Sequence, residues 1–168
     1  MAKSPQKPHR TISDPLTDAT ALPSRVAAMR RKILDACAGR DIEALRIPID
    51  WNEVRPLFER GAQRAAGADP IAVLKALAAD GDGLENLTLL RNVLRQACVR
   101  ESVGGHTNYV WPAFAFHPPK DPSPEERQTM LSCVRFSDLR RSGDNGLPPP
   151  MRVGIGADGV WHYFWSHD

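Results

Sequence analysis

The chain has 168 residues, 42% of them apolar and 25% charged, with a formal net charge of +2. That length supports one ordinary domain with its own core, and that balance is the one globular chains show, not disordered or fibrous ones. A charge so close to zero supplies no general pull toward nucleic acid or a membrane surface, and no apolar run approaches the roughly 18 residues a span needs.

Residues 1–23 are polar, hold Pro5, Pro8, Pro15 and Pro23, and read as a disordered or loosely attached tail. Lys3, Lys7 and Arg10 are too sparse for a polybasic block, so no nucleic acid is expected as a partner. The same stretch lacks the apolar segment of a secretory signal. The expected compartment is therefore the cytoplasm, or the periplasm if the natural start carries a signal. Residues 24–168 read as a single α+β domain.

Ser24 suits the cap of a helix to about Ala38, closed by Gly39, with Val26, Met29, Ile33 and Cys37 as its apolar stripe. Asp41 caps a short second helix through Leu45 that Pro48 ends. Asp50 and Glu53 form a capping-box pair ahead of a short helical piece that Pro56 weakens. Asp69-Pro70 starts a helix running to about Ala79. Asp80-Gly81-Asp82-Gly83 reads as a plain turn, because it lacks the further oxygen ligands of a calcium loop. Leu84, Leu87, Leu90, Leu94 and Ala97 mark the strongest amphipathic helix, ending near Arg100.

Gly104-Gly105 leads into Asn108–Phe116, a strand that Pro112 confines to an edge or bulged position. Ser123-Pro124-Glu125-Glu126 opens a helix to about Val134, with Met130, Leu131 and Val134 inward. Ser142–Pro150 is a turn-rich loop, and Met151–Asp168 closes the chain as a β-hairpin. Asp158-Gly159 suits a two-residue turn with positive φ at both positions. Ala157 then faces Val160, Ile155 faces His162 and Val153 faces Phe164. On the other face Gly156 lies across from Trp161, Gly154 from Tyr163 and Arg152 from Trp165. Rings lie across the bare glycines, and Arg152 stacks on Trp165. Residues Gly154 to Gly159 spell G-x-G-x-x-G, but a phosphate cradle needs a helix after the glycines, and β-formers follow here. No nucleotide or other cofactor is expected.

Cys37, Cys98 and Cys133 are widely spaced on apolar helical positions and read as buried thiols, not a disulfide framework or a zinc site. No string such as G-x-S-x-G marks a nucleophile, and Glu125-Glu126 is accounted for by capping. His162 reads as a half-buried strand residue, and no metal site is expected, since His162 and His167 point to opposite faces of a strict strand. What remains is the ring row Trp161, Tyr163 and Trp165, with Trp111 and Tyr109 on the neighbouring strand and Arg152 and His167 at the rim. Covered by helices, the row is core. Exposed, it is a patch able to hold a sugar, a peptide or a partner strand.

Two functional expectations follow, on four or so mostly N-terminal helices packed against a small antiparallel sheet that includes the last hairpin. The leading one is a non-enzymatic binding or accessory module for a protein, peptide or small ligand. Its candidate ligand-binding residues are Trp111, Trp161, Tyr163, Trp165, Arg152 and His162, and no catalytic residue is assigned. The alternative is a small enzyme of the cone-shaped, nuclear-transport-factor-like type, whose opening helices ILDACAGRDIEALR resembles. It needs a pocket between helices and sheet with an inward carboxylate or His162.

YVWPAFAF, PSPEE and RVGIGADGVWHYF together resemble a family of small bacterial proteins for which no activity is established. The likeness extends upstream through Ser24–Ile49 and DPIAVLKALAADGDGLENLTLLRNVL, from about Leu22 onward. It implies no catalytic residue. Many members of that family carry a signal peptide ahead of the first helix, which this sequence does not show. Ser166-His167-Asp168 stands where a small residue, glycine and aspartate are usual.

Overall fold

Two hairpins that share an edge build the sheet, one turning at Gly104-Gly105 and the other at Ala157–Gly159. The computed structural model describes residues 8–59 and 67–166. Strands β1 (Arg10–Ile12), β2 (Val99–Val103), β3 (His106–Trp111), β4 (Met151–Gly156) and β5 (Trp161–Ser166) lie in that order in one sheet, every neighbour antiparallel. Helices α1 (Ser24–Ala36), α2 (Arg46–Asp50), α3 (Pro70–Leu77) and α4 (Leu84–Leu94) precede most of the sheet; α5 (Pro124–Leu131) and α6 (Phe136–Ser142) fall between β3 and β4. The architecture is α+β with the terminal hairpin inside the sheet, as the sequence implies.

One sheet face meets the helices. There Val26, Met29 and Ile33 of α1 and Leu87, Leu90 and Leu94 of α4 pack with Trp111, Val153, Ile155, Trp161 and Phe164. Because side chains alternate along a strand, Val110 turns the other way and joins Val99 and Ala113 in a smaller apolar cluster, flanked by Ile12, Phe116 and Tyr163. Among the described residues no helix is long and apolar enough to cross a membrane.

Several local expectations are corrected. Arg10–Ile12, assigned above to a loose tail, pairs with β2, and Leu16 exchanges backbone hydrogen bonds with Cys98. The helix expected to reach Arg100 stops at Leu94, and Val99 begins β2 instead. Pro48 does not end a helix; it sits in the first turn of α2, where an absent N–H costs nothing. The helical piece expected after Asp50 is a series of bends. Strand β3 is central, not an edge, because it ends at Trp111 and leaves Pro112 outside the ladder. The segment Ala113–Ala115 is a short 3-10 turn where a strand was expected.

Polar groups fix how the helices meet. The Asp80 carboxylate accepts from the backbone N–H of Asp82, Gly83, Leu84 and Glu85. Desolvation raises its pKa, but those four donors outweigh it and hold the group below the ordinary range. The loop is a helix cap. Next to it, the buried Arg135 guanidinium donates to the carbonyl of Leu77 and to Asn86 Oδ1, both at 2.9 Å, and lies 3.6 Å from Glu85. These bonds join the end of α3, the start of α4 and the start of α6.

Candidate functional site

The terminal hairpin decides which rings are available to a ligand. The Gly159 N–H donates to the Gly156 carbonyl at 2.8 Å, the Gly156 N–H donates to Val160 at 2.9 Å, and of the turn residues only Gly159 has positive φ. The loop is therefore three residues long, ending in a left-handed glycine, and not the two-residue turn expected. Gly156 faces Val160 and Ile155 faces Trp161, while Gly154 still faces Tyr163. His162 is the extra residue between those pairs, a β-bulge.

The bulge turns Trp161 inward. It is 0% exposed, meets Phe58 edge-on at 5.7 Å and donates its indole N–H to the Tyr163 carbonyl. Trp111 is likewise interior. His162 points to solvent, near Asp158, over Gly156. Asn52 and Leu57 add backbone-like pairing to the outer edge of β5, through Trp161 in one case and through His162 and Phe164 in the other.

Of the six candidates, Tyr163, Trp165 and Arg152 share the helix-free face. Tyr163 and Trp165 stack at 4.5 Å with an interplanar angle of 7°. The Tyr163 ring crosses Gly154, so a Cβ there would meet its Cζ at 2.5 Å. Arg152 lies 4.6 Å over the ring of Phe116, which also takes Arg10 at 5.7 Å. Arg10 in turn pairs with Glu101 at 2.7 Å. Burial and the nearby Glu101 raise the Tyr163 phenol well above its ordinary value, with Arg152 and Arg10 opposing. The phenol is thus a neutral hydroxyl at physiological pH. Phe116, Glu101 and Arg10 were not among the expected site residues. Phe116 reads as a strand residue in sequence, and nothing local places the other two beside the hairpin. His167 lies outside the described residues.

A cleft of about 440 Å³ opens where α5 crosses the turn after β3, between Pro15, Ala97, Ala113, Phe114 and Met130. His117, Glu125 and Glu126 stand at its rim. A smaller one of about 170 Å³ lies beneath residues 16–19, beside Arg30, Arg95 and Trp111. The three cysteines are free and buried. Burial pushes the Cys37 thiol up to about 12 and those of Cys98 and Cys133 up to about 11. Cys98 sits just ahead of β2, not on a helix. Among the described residues no three His, Cys, Asp or Glu side chains are grouped to hold a metal ion.

A scan against protein families and searches of curated proteins and of solved structures find no match to this chain.

Proposed function

We propose that the protein is a non-enzymatic binding module whose contact surface is the helix-free face of the sheet, centred on Tyr163, Trp165 and Arg152. The observation that carries this reading is the stacked, half-buried Tyr163–Trp165 pair on the sheet face turned away from the core that α1 and α4 cover. Two locked rings offer a large amphipathic contact area at low entropic cost, and a neighbouring guanidinium adds direction to it. A peptide or protein segment is the partner this surface suits best. Trp111 and Trp161 support the rings from the other side and do not touch the partner. The enzyme alternative asks for a pocket between helices and sheet with an inward carboxylate or His162. The exposed His162 and the filling of the space behind the hairpin by Trp161, Phe164 and Ile155 favour the binding reading.

The test is quantitative affinity capture from a native extract with the unaltered protein, Trp165→Ala, Arg152→Ala and a Cys37→Ala control, alongside melting curves. A partner enriched by the unaltered protein and by the control, and lost in the two face variants at unchanged melting temperature, supports the reading. Face variants that retain the same partners overturn it.

A further inference from the structure

We propose a second site: the cleft under α5 binds a small organic molecule with an apolar body and a primary ammonium head. Its volume of about 440 Å³ falls within the roughly 300–1,000 Å³ of small-molecule pockets. Pro15, Ala97, Ala113, Phe114 and Met130 make most of its wall apolar. The helix above it is eight residues long and has no fully buried residue; its inner side, Thr129, Met130 and Leu131, is half-buried, and Thr129 and Met130 border the cleft. So short a helix takes its stability from what it packs against. An occupant of the cleft completes that packing.

The rim selects the head group. His117 Nε2 lies 2.9 Å from the Ser13 carbonyl. A carbonyl only accepts, so the ring donates from Nε2 and, when neutral, offers Nδ1 as an acceptor. The charged side chains at the rim are Glu125 and Glu126, and no Lys or Arg is among the lining residues described. Glu126 is engaged in the capping box with Ser123, in which Glu125 takes no part. Two carboxylates, of which Glu125 is outside the capping box, match a group with several donors and a positive charge, which a primary ammonium supplies. A carboxylate or phosphate ligand would instead meet like charge. Tyr163, Trp165 and Arg152 do not line this cleft, although Ala113 shares an apolar cluster with Tyr163. Trp165→Ala, which removes a ring outside that cluster, is therefore the variant that separates the two sites.

The experiment is an amide NMR titration of the full chain with phenethylamine, using phenethyl alcohol and hydrocinnamate as neutral and anionic analogues of similar shape. The amine should shift residues 113–117 and 124–131 saturably and bind about tenfold more tightly than the alcohol, as one charge-assisted contact provides. Hydrocinnamate should not saturate. Glu125→Gln should reduce the amine to the level of the alcohol. Thr129→Phe, on the helix surface, should fill the cleft and abolish both, while Trp165→Ala leaves both intact. Equal binding of the three probes overturns the proposal. So does an amine preference that survives Glu125→Gln, or the absence of saturable shifts in the folded chain.

Discussion

Gly154 shows how one missing side chain sets a surface. Its backbone needs no special conformation, yet a Cβ there would drive into the Tyr163 ring. Gly154→Ala should therefore cost about 1–3 kcal/mol, the usual penalty for forcing a well-packed site to move. Urea unfolding measures it, and the same substitution in a Tyr163→Ala background should cost much less, since the ring is then gone. An equal cost in both backgrounds would mean the glycine serves the backbone and not the ring. The thiols make a second argument at this scale. Unfolded cysteines titrate at roughly 8.5, whereas Cys37 is pushed up to about 12 and Cys98 and Cys133 to about 11. From roughly pH 8.5 upward the folded chain keeps protons that the unfolded chain has released, so stability falls as pH rises through that window and is flat below it. Replacing the three cysteines with alanine should flatten the alkaline slope measured by denaturant titration, even while lowering stability at neutral pH. A slope that persists would assign alkaline loss to other groups.

At the scale of elements, legibility followed how local the deciding force was. Helix α1 could be read because its stripe, Val26, Met29, Ile33 and Cys37, is complete within one segment and all four are buried. The capping box at Ser123 and Glu126 was legible for the same reason. Strand β2 was not. Leu94, Ala97 and Cys98 continue the helical period of α4, while Val99, Glu101 and Val103 carry a strand period, so the sequence supports both. What decides is Gly104-Gly105, where φ is 55° and 84°, folding β2 back onto β3. A glycine pair between two β-forming runs was the available signal. The outer pairs of the last hairpin, Arg152–Trp165, Val153–Phe164 and Gly154–Tyr163, follow the expected register. The inner pairs do not, because the turn begins one residue early and the bulge at His162 restores the count. Burial of Trp161 in place of His162 favours that shift, since a large apolar ring gains far more from the core than an imidazole does. That preference acts between distant segments, and Phe58 and Asn52, which receive Trp161, are invisible from the hairpin alone. The candidate site was therefore half legible: Tyr163, Trp165 and Arg152 share a face as read, while Phe116, Glu101 and the cleft depend on contacts between segments far apart in sequence.

For the whole molecule, the question is what residues 10–22 contribute. Their polar composition argues for a dispensable tail, but they hold four separate connections. Arg10–Ile12 covers the edge of β2, Ser13 accepts from the His117 ring, and Leu16 pairs with Cys98 in both directions. Ile12 also completes the apolar cluster on the helix-free face. A chain begun at Ser24 loses all of these and bares a strand edge, a known route to self-association. With each net hydrogen bond contributing about 1 kcal/mol, the shortened chain should melt at least about 4 °C lower. Its Cys98 should become open to alkylation under native conditions while Cys37 stays protected. The truncation also removes Pro15 from the cleft wall and the carbonyl that orients His117, so amine binding should fail even where the sheet survives. A truncated chain with unchanged melting, a protected Cys98 and intact amine binding would make the N-terminal strand an ornament. Loss of all three would make it the fifth strand of one cooperative unit, with its cleft built in part by the first residues of the fold.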